Sequence, residues 1–537
     1  ESKDDFSKAS GKGFSFSFVF TATQRGDGKM SKVSQRPGRE DIKQLRKQRR
    51  KAAKALREKQ QAQGLKVPIK AAIPNRKSGY GSVQEEQQAR QEATTEQVGV
   101  FRAQLPMLLK RLSKIKDPRN PKKIKHKHTL LMIYGILTFV LQMSSRREAN
   151  REMTRPQFME SLKLLFPELE DLPHNDTLMR LLARIDVNEI ESALIGLVRK
   201  LIRAKKFVRY LVDNRYPIAI DGSQKVVRNV LWSEECLERE VKKGDDSQMQ
   251  YYVLVLEASL AFSGGMTIPL MSEFLSYTQG DTDTKKQDCE QKAFKRLAKR
   301  LKAEFGHLAI MVLLDGLYPN GPIMELCRKN KWDYMVVLQN KSLKSVWQEY
   351  EGLKELETDN QFNMNWGNRR QRFEWVNGIE YYYGPNESKK QIVNVVVCEE
   401  SWQEVAKDSA EIVTQQSRHA WISSKPLDKF NVHKRCNLGA RHRWCIESGF
   451  LVEKRHGYQY EHMFAYNWNA MKGYHYLMRL GHLINVLSHN CERLVEMVRE
   501  LGVRGFIRFV RETLSGPWLD PLWVQKRLAA PFQLRLI

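Results

Sequence analysis

The chain has 537 residues, 90 of them Lys or Arg and 62 Asp or Glu, for a formal charge of +28; that length carries two to four domains with a sizeable core. The charge exceeds what solubility asks for and draws polyanions, nucleic acid first because each neutralised phosphate releases counterions, an anionic membrane surface second. Seven scattered cysteines exclude a dense disulfide framework and fit a reducing compartment, and the most apolar run, residues 129–144, is shorter than the ~20 residues of a bilayer span, so the chain reads as cytoplasmic with no membrane partner.

Residues 1–38 are rich in Ser, Gly and Lys without a sustained period, and disorder is expected there. FSFSFVFTA, residues 14–22, is a brief apolar patch and lacks the plan of a signal peptide. Residues 39–98 read as a basic helix and a linker. The helix, EDIKQLRKQRRKAAKALREKQQAQG, is built from strong helix formers but has too few apolar residues to bury a face. It is either a solvated helix or an arm along a DNA backbone. Residues 65–98 read as polar linker.

From 99 to 212 the pattern is helical, with apolar positions at helical spacing in FRAQLPMLLKRLSKI and again around FMESLKLLF, DTLMRLLARI and ESALIGLVRKLIRAKKFV. Asp176 and Thr177 form a candidate N-cap. The basic loop KDPRNPKKIKHKH places Lys122, Lys123 and Lys125 where a phosphate backbone would contact them. Short helices with basic loops suit a DNA-binding domain of helix-turn-helix kind; a plain packing module is the competing reading.

At residue 213 the texture turns to strands. YPIAIDGSQK, QMQYYVLVLEASLAF and GMTIPLMSEFLSY read as three antiparallel strands, the last two joined by a hairpin at Ser263-Gly264-Gly265. The helix QDCEQKAFKRLAKRLKAEF, the buried strand HLAIMVLLDG, the helix NGPIMELCRKNKW and the strand DYMVVLQN follow. Together, residues 213–340 predict a mixed sheet with helices packed on it, an α/β core. Residues 341–418 read as a β-rich insertion, with a hairpin expected at Asn377-Gly378 in RFEWVNGIEYYYG. Residues 419–480 return to the core with a short strand, HAWISS, and helix. Residues 481–537 are a C-terminal helical region and an irregular tail.

Two acids end apolar strands and precede glycine: Asp221 after PIAI and Asp315 after MVLL. A buried strand that ends in an acid aims it at the crevice where ligands bind, and the glycine permits close approach. Turn formation explains one such site equally well, but two on neighbouring strands favour function. A third acid, Glu447, lies in RHRWCIESGFLVEKRHGYQYEH with Arg443 at i−4 and Lys454 at i+7. A helix puts all three on one face, with Trp444 and Phe450 as anchors. An isolated Arg–Glu pair contributes only a few tenths of a kcal/mol, so two cations beside a carboxylate suggest phosphate binding next to a metal ligand. Three carboxylates can hold two divalent ions, and oxygen donors favour Mg²⁺, with Mn²⁺ as substitute.

With these residues the chain resembles the DDE transposases of bacterial insertion sequences, in the branch marked by Tyr-x2-Arg-x3-Glu-x6-Lys. Arg443, Glu447 and Lys454 fit the spacing, while the Tyr position falls on Ala440, with His442 a possible substitute. The resemblance covers roughly residues 210–470. It implies an α/β fold: an RNase H-like mixed sheet flanked by helices, with a β-rich insertion and an all-helical N-terminal domain. It also implies that Asp221, Asp315 and Glu447 bind two Mg²⁺, that water frees a 3′-OH at the transposon end, and that this 3′-OH joins target DNA, directly or through a hairpin. Implied partners are double-stranded DNA, as transposon ends and target, and a second copy of the chain; the implied location is the bacterial nucleoid. Candidate DNA contacts are Arg443, Lys454, His442, Lys225, Lys122, Lys123 and Lys125, with Trp366 and Trp375 as stacking platforms for an extruded base; ordinary packing is the competing reading for both tryptophans.

Other residues present alternatives. His433, Cys436, His442 and Cys445 have the look of a zinc set, but the five-residue spacer is short. Ser223 lacks an identifiable base. Glu257 is a fourth acid near the site or a sheet-edge residue, His462 a phosphate contact or a packed ring, and Asp245 and Asp246 loop residues. The rival functions are an RNase H-like nuclease without strand transfer and a domesticated DNA-binding protein without chemistry.

Overall fold

The structure, a computed structural model, describes residues 38–68, 72–169, 171–243, 246–280 and 287–537. The expectations for residues 1–37 and Asp245 lie outside them. The described residues form helices α1 (Arg39–Ala62), α2 (Val83–Arg102), α3 (Leu105–Leu112), α4 (His128–Val140), α5 (Arg146–Met153), α6 (Pro156–Leu165), α7 (Asn175–Leu182) and α8 (Asn188–Arg203). Strands β1 (Tyr216–Arg228), β2 (Leu237–Lys243), β3 (Asp246–Ala261) and β4 (Thr267–Phe274) follow. Then come α9 (Glu290–Glu304), β5 (Ile310–Leu314), α10 (Gly321–Lys329), β6 (Asp333–Val337) and α11 (Lys344–Lys354). Strands β7 (Gln361–Trp366), β8 (Arg369–Tyr383), β9 (Lys389–Val405) and β10 (Ile412–Ser423) precede α12 (Trp444–Arg455), α13 (Trp468–His489), α14 (Val495–Ser515) and α15 (Pro521–Ala529).

By contact the chain divides into two units. One holds the described residues up to Glu58 with Glu404–Val413, the other Lys59–Gln403 with Thr414–Ile537. In the first, α1 is exposed along most of its length, as its scarcity of apolar residues predicts. The second contains the mixed α/β body. Its ten-stranded sheet runs β2-β3-β1-β5-β6-β10-β9-β8-β7, with β4 also paired to β3. Strand β1 is antiparallel to β3 and parallel to β5, and β5 is parallel to β6. The long β3 pairs β2 through its first half and β4 through its second.

Both faces of the central strands are buried, so they read as continuous apolar runs. Ile218, Ile220, Val312 and Leu314 join a large core shared with the helices. Ala219, Met311 and Leu313 alternate with them and join a second core with Phe373, Trp375, Trp421 and Ile446. Helix α13 is the axis of the helical part, packing on α2, α4, α7, α8 and β4. None of the helices searched among the described residues is long and apolar enough to cross a membrane.

Four local expectations are corrected. Residues 83–98 belong to α2 rather than to a linker. Ser82 caps that helix by accepting from Glu85 N–H, and Gly81 N–H donates to Glu85 Oε2 at 2.7 Å. It buries polar residues among the apolar ones, such as Gln97, whose amide donates to Asn485 at 3.2 Å, so burial left no apolar period to read. The cap of α7 is His174, whose Nδ1 accepts from Asp176 N–H at 3.2 Å. Asn377-Gly378 makes no hairpin turn: β8 runs through it with a register shift against β9 between Val376 and Ile379, and Gly378 takes φ +77°. It is a bulge, where the extra residue needs the left-handed region. Finally, Asp246 opens β3 rather than standing in a loop. The insertion strands extend the central sheet, because β10 pairs antiparallel with β6.

Candidate active site

Asp221 does not end its strand: β1 continues to Arg228. It nevertheless meets Asp315. Ala219 pairs with Leu313 across the parallel β1–β5 ladder, and two residues further along each chain stand Asp221 and Asp315. Asp315 has just left β5, and its Oδ1 accepts from Leu317 N–H at 2.9 Å. Glu447 sits in the first turn of α12. A π-helical stretch, Lys434–Gly439, and a 3-10 turn, Ala440–Arg443, lead into that helix. Arg443, at the N-cap position, links two of the acids: its guanidinium lies 3.3 Å from Asp221 Oδ2 and 2.7 Å from Glu447 Oε1.

The cluster carries surplus negative charge. Burial pushes the Asp221 carboxyl up to about 7, helped by the charges of Asp315 and Glu447 and opposed by Arg443. Three oxygen-donor carboxylates, two of which raise the pKa of the third, are chemically suited to a hard divalent cation. As they stand, no three His, Cys, Asp or Glu side chains among the described residues are gathered closely enough to hold a metal ion, and Arg443 occupies the gap between Asp221 and Glu447. The same holds for the zinc alternative, where His442 Nδ1 faces Cys445 Sγ at 3.4 Å and Cys436 is buried.

Beneath the acids lies a buried ionic network. Glu257 pairs across the sheet with Asp221 and is fully buried, so it is neither an edge residue nor open to substrate. Arg479 of α13 bridges Glu257 Oε2 at 3.2 Å and Glu453 Oε1 at 2.9 Å. His475 lies 3.2 Å from Glu257, and His482 2.6 Å from Glu453. Burial alone would raise the Glu453 carboxyl, but Arg479 and His482 outweigh it and hold it at about 2. Arg479 thus ties the strand beside Asp221 to the helix that bears Glu447.

The expected DNA contacts divide. Lys122 and Lys123 are exposed, as is Lys125, which pairs with Asp171 at 2.9 Å. Lys454 is half-buried, 3.2 Å from Glu461. Lys225 is a correction: it is buried, its ammonium donates to the Tyr460 carbonyl at 2.9 Å, and burial pushes its pKa down to about 8. Trp375 is another, packed in the second core at 3% exposure. Trp366 keeps a partly exposed ring beneath Arg441, 5.0 Å from its centroid. Of the two expected anchors of α12, Phe450 is buried and Trp444 is exposed. Ala440 is buried and His442 half-buried; Ser223 is buried, and His462 packs edge-on against Phe464.

One acid escaped the sequence reading. Glu290 opens α9, and its Oε2 accepts from the buried Tyr318 hydroxyl at 3.4 Å. Nothing in CEQKAFKRL separates it from an ordinary first-turn helix acid; only the fold brings it beside Gly222.

A family model described as DDE_Tnp_1-associated matches residues 109–198, the stretch from within α3 to within α8. The match points to a DDE-type transposase family, whose members are enzymes. No curated protein matches the chain.

Proposed function

We propose that this chain is a DDE transposase, which cleaves DNA at transposon ends in a metal-dependent reaction and transfers the freed 3′-OH into target DNA. The observation that carries the reading is that Asp315 and Glu447, far from Asp221 in sequence, both bear on its carboxylate, with Arg443 bridging Asp221 and Glu447. The strand order β4-β3-β1-β5-β6, with Asp221 on β1 level with Asp315 just past β5, supports an RNase H-like core. The matched segment 109–198 and the +28 charge add independent support.

In this reading Asp221, Asp315 and Glu447 would hold two Mg²⁺ ions, which would supply Lewis acidity for phosphodiester chemistry. The chain's own residues do the rest. Asp221 stands on β1, Asp315 directly after β5 and Glu447 on α12, and in this reading Arg443 withdraws from the gap between Asp221 and Glu447 to let the acids close on the ions. Arg443 pairs with Asp221 and Glu447 in the free chain; its charge is then available to a phosphate that enters between them. Lys454, on the last turn of the same helix, offers a second cation to the backbone. Exposed Lys122 and Lys123 hold duplex DNA at a distance from the cut. Trp366 is the stacking platform if the second strand is cut through a hairpin. Two copies of the chain act on paired ends.

The test is cleavage of end-containing duplex in Mg²⁺. Asp221→Asn, Asp315→Asn and Glu447→Gln are each expected to lose activity on the order of 10³-fold while still retaining the DNA in gel shift. Undiminished cleavage by any of the three removes that residue from the site. Joining of a pre-cut 3′-OH end to a plasmid separates a transposase from a nuclease, which cuts but does not join.

A further inference from the structure

We infer that the solvent face of α9 is the track on which target DNA lies, held by Lys292, Lys295 and Lys299. The inference rests on the transposase reading above and names where its second substrate binds. Three observations carry it.

The first is a stripe of charge. Lys292, Lys295, Lys299 and Lys302 recur at helical spacing along one side of α9. The opposite side carries Phe294, Leu297 and Leu301 into the core. Lys295 and Lys299 are exposed and Lys292 partly so.

The second is what the fold leaves unused. Both arginines of the helix are engaged inside the molecule: Arg296 lies 2.7 Å from Glu273 and 2.6 Å from Asp288, and Arg300 meets Glu191 and, at 2.9 Å, Glu273. Lys302 donates to the carbonyls of Gly306 and Asn330, each at 3.1 Å. Among the described residues no acid pairs with Lys292, Lys295 or Lys299. The acids of α9 stand at its two ends, Glu290 and Glu304, and Glu304 is taken by Arg199 at 3.1 Å. Lys295 and Lys299 lie one turn apart and repel each other, where a solvated helix ordinarily carries an acid. A polyanion relieves that repulsion.

The third is where the stripe starts. Gln291 Nε2 donates to the Leu317 carbonyl at 3.3 Å, and Leu317 N–H donates to Asp315 Oδ1 at 2.9 Å. Leu317 thus joins the first turn of α9 to a candidate catalytic acid, and Lys292 is the next residue along the helix. From Lys292 to Lys299 the axis rises roughly 10 Å, against a B-DNA strand with one charge per ~3.4 Å of its axis. A lysine ammonium is a point charge, and phosphate contacts carry no sequence information. The side chains of α9 suited to reading base edges, Gln291, Arg296 and Arg300, are already bonded within the fold. A transposon end must be recognised by sequence; a target need not be, and a stripe of lysines suits the target.

The experiment compares two reactions of the full chain in Mg²⁺: cleavage of end-containing duplex, and joining of a pre-cut 3′-OH end to a supercoiled plasmid. Lys295→Glu with Lys299→Glu is expected to slow joining by about tenfold or more while cutting ends as the parent does. Its melting temperature should not fall, because the new acids stand at helical spacing from Lys292 and Lys302. Lys295→Ala with Lys299→Ala is expected to lower the salt slope of binding to random-sequence duplex by about two. If the parent joins and both variants join like it, with the slope unchanged, the inference fails and the proposed function stands. If cutting falls by the same factor as joining, the stripe holds the transposon end instead, and the inference again fails. A parent that cuts but joins no 3′-OH end overturns the strand-transfer reading itself.

Discussion

Arg479 shows how one side chain can govern a site it does not touch. It is buried between Glu257, the cross-strand neighbour of Asp221, and Glu453, on the helix of Glu447. Arg479→Met is expected to cost ~3–5 kcal/mol in urea denaturation, because it strands two buried carboxylates. The pH dependence follows from Glu453, whose carboxyl is held at about 2 against an ordinary 4.5. A depressed folded value means the stabilisation is fully present above about 4.5 and is lost as pH falls through about 2. Melting temperature should therefore drop across that window, and Glu453→Gln should flatten the drop. Neither Glu453 nor Arg479 stood out in the sequence, since a charged residue in an amphipathic helix looks the same whether its partner is water or another buried charge.

At the scale of elements, two glycines show different reasons for the same residue. Gly481 lies where α13 crosses α4; a Cβ there would come 2.7 Å from Phe139 Cβ and 3.1 Å from the Val140 amide nitrogen. Gly481→Ala is expected to destabilise by ~1–3 kcal/mol through overpacking. Gly378, in the bulge of β8, has open space around a Cβ but a φ of +77°, so Gly378→Ala should cost ~1–2 kcal/mol from backbone strain alone. Thermal melts of the two variants check both figures. The bulge also explains why Asn377-Gly378 looks like a hairpin turn in the sequence. The dipeptide reports a need for left-handed backbone, which a two-residue turn and a bulge share, and only pairing across β8 and β9 tells them apart.

Over the whole molecule the charge is the dominant property. With +28 spread over the chain, duplex affinity should fall steeply with salt, its logarithmic slope counting the phosphates neutralised. Lys122→Ala with Lys123→Ala should reduce that slope by about two if both lysines meet phosphate. Lys125→Ala should change it less, because Asp171 already pairs with that ammonium. Fluorescence anisotropy at several salt concentrations reads this directly, and an unchanged slope for the double variant would remove the basic loop from the DNA path.

What the sequence determined alone was whatever depends on local pattern. Apolar runs with both faces buried marked β1 and β5, the Arg443–Glu447 spacing marked a helix face, and the charge marked a polyanion partner. Tertiary structure alone decided what depends on which distant residues meet. It carried β1 past Asp221, buried Lys225 and Trp375, joined β10 to β6 so that the insertion lengthened the sheet, and set Glu290 against Gly222. The physical reason is that periodicity records whether a residue faces a core. It does not record which charge waits on the other side, and that is decided only where distant elements meet, as Arg443 meets Asp221 and Glu447.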